Sequence, residues 1–578
     1  MSGIAGFFGH GDDAALQLML MRLQHRGSDC GMFSAFDERL QGDIRLGHVN
    51  SHVFADIHKQ PLTDGPTGLT LLFDGTIYNN QELRERLMLL GHSFVSSDNA
   101  EVILKSFIEW GQDSFLFLNG MFSLAIYDRK KGALWLARDR FGEKPLFYID
   151  NKYGFAFASE IGSLAAWDGF DRSFDMPNVQ RFFAWGYLPA GRTTHPGCHS
   201  LPPGTWMRID IATKHKAIHQ YWTFQLEPDE SLNDKHEPRL IEELRALLVQ
   251  SVQRRLAGNV PVGIFLSGGI DSGAVLAAAS RLLPPEEIQT FTIGFTEPSF
   301  DESKTAGMIA DSFGVRHHVS MLTLEDMRNT AFTLLQRMSE PLGDASLVPT
   351  HMLAAFARQR VGVALSGDGG DELFAGYDPM LALRPAQIYS RLVPSKIHEI
   401  IRRYVNKIKA SDKNMSLDFK LKRILRGLSY PESMRLPAWM SPLEPDEIQK
   451  YFANPLSAEE LYEDAIDLWK KNSHLSLTDR ALLFFTCFYL VNDVLVKADR
   501  AAALASLEVR SIFLDSDIVS FCSRLPSRFK LRGVVRKYLL KKALAGWLPD
   551  SVLSLPKKGF GMPLGRWLRE LLAERVAA

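Results

Sequence analysis

Short apolar runs separated by turn residues fill the first 210 positions. They predict strands at Ile4–Phe8, Leu69–Phe73, Phe122–Tyr127, Ala133–Ala137, Leu146–Tyr148 and Phe155–Ala158. Helical spacing intervenes near Asp13–Gln24, Asn80–Leu90 and Ala100–Gly111. The polar interval Leu226–Pro238 (LEPDESLNDKHEP) reads as a linker, which predicts domains over 1–210 and 239–578 joined by 211–238. Beyond it, strands at 260–266, 289–295 and 361–366 alternate with helices, as in a doubly wound parallel sheet. After about residue 390 the pattern is mostly helical. The most apolar run, Ala481–Val491, is about 11 residues long. That is short of the ~18 a membrane span needs, and it predicts a buried core helix.

Composition adds little to this picture. An apolar content of 46% and a charged content of 23% over 578 residues are those of a protein with a sizeable core. A net charge of −1 gives no general case for nucleic acid or a membrane. Cys30, Cys198, Cys487 and Cys522 have no paired spacing, so neither a disulfide framework nor a zinc site is expected. The N-terminus lacks the charged and apolar regions of a signal peptide, and the cytoplasm is the expected location.

The chemistry starts at PVGIFLSGGIDSGAVLAAAS. A strand runs into Ser267-Gly268-Gly269, and a helix is entered through Ile270-Asp271-Ser272. Glycines let backbone N–H groups converge on an anion, and the helix N-terminus adds positive potential, so phosphate is the natural guest. Asp271 repels phosphate unless a divalent cation lies between them. No GxxxxGK[ST] lysine is present, and the loop instead resembles the pyrophosphate loop of the N-type ATP pyrophosphatases. The rival reading is an ordinary glycine-rich corner. A second turn, SGDGGDE at 366–372, follows a strand and carries Asp368, Asp371 and Glu372. Two acidic turns at neighbouring strand ends suit Mg²⁺ shared on one nucleotide, with Asp271 and Asp371 on the metal.

The first domain carries HRGSDCG at 25–31, FDGTIYN at 73–79, SSDNAEVIL at 96–104, NGMFSLAIYD at 119–128 and ARDRFGEKPLFY at 137–148. These resemble the glutaminase domain of class II amidotransferases, in the order found in glutamine-dependent asparagine synthetases. The resemblance implies an αββα Ntn-hydrolase sandwich, in which an N-terminal Cys exposed by Met removal attacks the glutamine amide. It also implies an Asn and a Gly as oxyanion donors. This chain departs from that pattern. Position 2 is Ser2, Asp74 and Thr76 stand in a motif the family writes FNGEIYN, and Asn50 stands where an arginine is expected to hold the glutamine carboxylate. Gly75 and Asp98 remain. A hydroxyl is a poorer nucleophile than a thiolate, and an ionised Asp in an oxyanion hole offers no donor. Loss of the Arg removes bidentate capture of the carboxylate. The reading is a lost glutaminase; the rival is an N-terminal serine acting on another amide.

The second domain keeps its motifs. With VKADRAAALASLEVRSIFLD at 496–515 and LPKKGFGMPLGRWLRE at 555–570, the two turns resemble the synthetase domain of the same family. By that resemblance Leu266, Ile293, Ser366 and Gly367 lie near the nucleotide, and Ser267, Gly268, Gly269, Asp271 and Ser272 cradle pyrophosphate. Asp368 manages the amine proton, and Lys557 stabilises charge during adenylation and amidation. The expected substrates are ATP with Mg²⁺, a small carboxylic acid (aspartate, a uronate or a natural-product intermediate) and ammonia. A homodimer is possible within this family. Two alternatives stay open at this point. One is a ligase or cyclase of β-lactam-synthetase or lasso-cyclase type that uses another amine, and the other is a non-catalytic assembly partner.

Overall fold

The computed structural model describes residues 2–50, 60–189, 191–256, 261–409, 411, 414, 416–555 and 561. Among the described residues the first domain has twelve strands: β1 (Ser2–Gly9), β2 (Asp29–Asp37), β3 (Gly42–Asn50), β4 (Leu62–Asp64), β5 (Leu69–Ile77), β6 (Gly120–Asp128), β7 (Ala133–Arg138), β8 (Phe147–Asn151), β9 (Gly154–Ala158), β10 (Cys198–Ser200), β11 (Thr205–Asp210) and β12 (Lys216–Gln220). They form two antiparallel sheets, in orders β10-β8-β9-β1-β3-β2 and β12-β11-β7-β6-β5-β4. Phe8, Leu72, Tyr127, Leu136, Phe157 and Met207 fill the space between the sheets. Leu16, Met19 and Leu20 of helix Asp13–Met21 cover one outer face. Helices Asn80–Leu89 and Asn99–Trp110 cover the other, through Leu83, Leu87, Ile103 and Phe107. Continuous burial of the central strands on both faces thus gives four layers, helix–sheet–sheet–helix.

The second domain is built on a parallel sheet of β13 (Val262–Phe265), β14 (Gln289–Phe295), β15 (Arg316–Leu322), β16 (Val363–Ser366) and β17 (Glu508–Ser511), in order β15-β14-β13-β16-β17. From β13 the chain winds outward to β14 and β15, then returns to the other side for β16 and β17. The switch point therefore falls between β13 and β16, where an open α/β sheet places its ligand.

Several strands depart from the sequence expectation for identifiable reasons. β2 and β12 are edge strands whose exposed positions mix polar and apolar residues, so no apolar run marks them. β17 is buried yet carries Glu508 and Arg510, which neutralise each other at 2.8 Å. The expected boundary at 210 and the linker to 238 also shift. β12 pairs with β11 and extends the sandwich. Leu226 is already packed in the second core, and the N–H groups of Glu227 and Asp229 bond to Ser523 and Arg524 carbonyls. The apolar run at 481–491 belongs to a 28-residue helix, Leu477–Leu504. That length exceeds the ~11 residues of the run because Asn492, Asp493, Lys497 and Asp499 continue the helix. Two thirds of its most apolar window is buried inside the protein, and residues 485–494 form a π-helical segment.

The two domains meet through buried charge. The Arg26 guanidinium, fully inaccessible, donates to both carboxylate oxygens of Asp499 at 2.9 and 3.0 Å and to Glu160 at 2.9 Å. Lys144 reaches Asp499 at 3.2 Å. Nearby, Arg255 pairs with Asp515 at 2.9 Å and lies over the Tyr78 ring, and Asn119 donates to the same carboxylate at 3.2 Å. Burial opposes ionisation of Asp499, but the Arg26 and Lys144 charges outweigh it and hold the carboxyl well below its ordinary range. A depressed carboxyl contributes stability that is present above the unfolded-state value near 3.9 and is lost as pH falls below it. Asp499→Asn removes this counter-charge from two buried cations. It should cost about 3–5 kcal/mol, read as a fall in the unfolding midpoint at neutral pH. The gap between variant and parent should close as the solution is acidified below about pH 4. An unchanged midpoint would show that the cluster does not hold the domains.

Candidate functional site

β13 ends in the turn Ser267–Gly269 and β16 in the turn Gly367–Gly370, side by side at the carboxyl edge of the sheet. A cavity of about 420 Å³ opens there, and Leu266, Ser267, Gly268, Gly269, Asp271, Ser272, Ile293, Ser366, Gly367, Asp368 and Asp371 all line it. The first turn is prefolded by its own hydroxyls. Ser267 N–H donates to Ser272 Oγ at 3.0 Å, and Gly269 N–H to Ser267 Oγ at 3.1 Å. Helix Ile270–Ala279 follows with no side-chain cap, which leaves its positive end towards the turn. The second turn needs glycine. Gly369 adopts φ +92°, and a Cβ on Gly370 would stand 2.5 Å from Asp271 Oδ1. Side chains there would push the two acidic turns apart.

A lysine joins those turns. Lys537 Nζ pairs with Asp271 Oδ2 and, at 2.7 Å, with Asp371 Oδ1. Its backbone is left-handed, φ +53°, a conformation that costs a branched-Cβ or ordinary residue about 1–2 kcal/mol. The N–H bond to Phe374 O at 3.1 Å and the two carboxylates hold it there. A second lysine, Lys497 on the long helix, is fixed by Asp344 at 2.8 Å and Ser346 Oγ at 3.0 Å. Burial works against its charge, but Asp344 outweighs burial and raises the ammonium above its ordinary range. Sequence reading passed over both as site residues. Lys497 lies inside the quoted VKADR motif, and Lys537 in RKYLLKK looks like any basic helix start.

The carboxyls on the inner wall are pushed upward. Burial raises Asp368 against the pull of Lys497, and Ser366 Oγ donates to its Oδ2 at 2.8 Å. Burial lifts Glu372 to about 7 while it accepts from the Tyr377 hydroxyl, and burial with Asp344 lifts Asp493 to about 7. Asp271 Oδ1 is buried without a hydrogen-bond partner, which is the donor type a hard divalent cation takes. Among the described residues no three His, Cys, Asp or Glu side chains form a ready-made metal cage. Mg²⁺ is usually held by one or two carboxylates together with substrate phosphates. Asp271 and Asp371 therefore fit such an ion arriving with a nucleotide. Lys557 lies outside the described residues.

In the first domain the expected residues gather at the ends of β1, β3 and β5. Ser2 lies opposite Asn50 in the ladder, and Ser2 Oγ donates to Asp74 Oδ1 at 2.7 Å. Asp74 is fully buried, and its Oδ2 lies 3.5 Å from Arg26. Arg26 also donates to the Ser2 carbonyl at 2.8 Å. Gly75 adopts φ +137°, and a Cβ there would come within 2.0 Å of Met121 O, so no other residue fits. Thr76 turns away and donates to Glu508 of β17 at 3.0 Å. Asp98 caps helix Asn99–Trp110, accepting from Ala100 N–H at 3.3 Å. Two of the departures from the family pattern, Asp74 and Thr76, are thus bound into the charge network between the domains.

The asparagine synthase family matches residues 243–578, and the glutamine amidotransferase domain family matches residues 1–222. A provisionally named asparagine synthetase [glutamine-hydrolyzing] of Mycobacterium tuberculosis is 32% identical over 98% of this chain and 87% of its own. Asparagine synthetase [glutamine-hydrolyzing] 1 of Bacillus subtilis is 29% identical over 97% and 86%. A Penicillium rubens protein named amidase chyE is 25% identical over 92% and 84%. The match over both domains and the paired acidic turns in one cleft place this chain in the asparagine synthetase family, as an ATP-dependent, amide-forming carbon–nitrogen ligase.

Proposed function

We propose that this protein adenylates a small carboxylic acid and passes the acyl group to free ammonia, with its own glutaminase site extinguished. The observation that carries the reading is the contrast between two sites in one chain. In the second domain Asp271, Asp371 and Lys537 keep two glycine turns poised around one cleft. In the first, the Ser2 hydroxyl spends its proton on Asp74, and Asp74 is bound to Arg26. A carboxylate at that place opposes the negative charge that amide attack develops.

The substrate carboxylate attacks the α-phosphorus of ATP, and the bond to the β-phosphate oxygen breaks to release pyrophosphate. The turn N–H groups and Lys537 stabilise the departing charge. Mg²⁺ held by Asp271 and Asp371 would supply charge neutralisation on the polyphosphate. Ammonia then attacks the acyl carbon, AMP leaves, and the amine loses one proton to the nearby carboxylate of Asp368. Lys497, which lines the same cleft, would supply positive charge to the oxyanion or the acyl phosphate. Aspartate is the first candidate acid because relatives in Bacillus subtilis and Mycobacterium tuberculosis bear the asparagine synthetase name.

Radiolabelled pyrophosphate should exchange into ATP only in the presence of the true acid, tested across aspartate, glutamate, uronates and peptide acids. Asp271→Asn should slow that exchange by about 100-fold. No exchange with any acid, or full exchange by the variant, would contradict the assignment. Asp368→Asn should leave exchange intact but lower amide formation by about 100-fold, the scale of a lost proton acceptor. Since burial raises the Asp368 carboxyl, amide formation should rise with pH through a value above the ordinary Asp range. An unchanged profile in Asp368→Asn would assign the proton to another group.

A further inference from the structure

We propose that helix Ser395–Asn406 and the apolar side chains beside it seat the protein on an anionic lipid surface. The inner face of this helix is settled by its partners. His398, buried, contacts Ser429 Oγ at 3.0 Å, and Arg402 bonds to Ser429 and to Glu444. The opposite face carries Ile397, Ile400 and Tyr404, spaced i, i+3 and i+7, which puts them on one stripe, and Ile408 follows just past the helix end. All four are exposed, Tyr404 by 68%, and Leu392 on the preceding helix is exposed by 74%. Scattered exposed apolar residues need no explanation, but a continuous stripe on a helix does.

Charge names the occupant. Lys396, Arg403 and Lys407 follow one edge of the stripe, a third of a turn or so from it, and all three are exposed. Arg391 and Lys409 add exposed cations at the two ends of the segment, against one exposed carboxylate, Glu399. Lys407 Nζ lies 5.7 Å from the Tyr404 ring, so cation and aromatic share one border. Aliphatic side chains in line, bordered by lysine, arginine and tyrosine, match the boundary between acyl chains and anionic headgroups. The chain-wide net charge of −1 averages this segment away. Helix Pro379–Leu392, about 20 Å long at 1.5 Å per residue, starts two residues after Tyr377 of the cleft. The lipid face thus follows the cleft along the chain, one helix and a Val393-Pro394 break away.

The test is sedimentation of the full chain with vesicles of phosphatidylglycerol and phosphatidylcholine, compared with phosphatidylcholine alone. Binding should require the anionic lipid and weaken by about tenfold or more in high salt. Ile397→Ser/Ile400→Ser/Tyr404→Ser and, separately, Lys396→Glu/Arg403→Glu should each release the protein. Their melting temperatures should match the parent because every changed side chain is exposed. Absence of binding to anionic vesicles at low salt overturns the proposal, as does wild-type binding by the triple variant. A wild-type dimer that the triple variant dissolves, with no vesicle binding, would assign the stripe to a second copy instead and also overturn it. None of these readouts depends on the acid substrate.

Discussion

The structure depends on one buried guanidinium. Arg26 has no access to solvent, so its desolvation must be offset by close anionic partners, and those come from both domains: Glu160 and Asp74 from the sandwich, Asp499 from the long helix of the synthetase. The same side chain holds the Ser2 carbonyl. Position 2, the domain interface and the long helix are therefore mechanically one unit. Asp499 lies two residues beyond Lys497, so whatever fixes the interface also fixes a lysine in the cleft.

This coupling gives the changes at the first-domain site a positive physical meaning. Asp74 supplies a counter-charge to Arg26, and Thr76 supplies a donor to Glu508. Both side chains thereby serve cohesion between the domains. The second domain shows the opposite tendency. Gly369 and Gly370 are kept where any side chain would strike Leu514 or Asp271, and Lys537 tolerates a left-handed backbone to stay between two carboxylates. Unfavourable local geometry persists there because the surrounding contacts over-determine it.

Much of this was legible in the chain. The glycine turns and their acidic residues lie in two contiguous motifs, SGGIDS and SGDGGDE, and both motifs line one cleft, whereas Leu266 and Ile293 were expected there only from the family resemblance. Strands that are continuous apolar runs, such as β5, β6 and β7, were equally readable because both of their faces are buried. Features built from distant residues were not. β17 hides behind a mutually neutralised Glu508–Arg510 pair, and Lys537 acquires its role only when its loop returns to Asp271, 266 residues earlier. The buried core helix expected at 481–491 is present, and its extension to 504 carries no apolar signal because Asn492, Lys497 and Asp499 line the cleft and the interface.

Glutamine hydrolysis by the purified full-length protein tests the central claim most directly: that the site around Ser2 has exchanged amide chemistry for a structural charge cluster. With ATP, Mg²⁺ and the panel of acids present at neutral pH, glutamate release should stay at the level of a Ser2→Ala control, while ammonium chloride supports any amide product formed. Glutamate release well above that control, with the glutamine amide nitrogen appearing in the product, would contradict it.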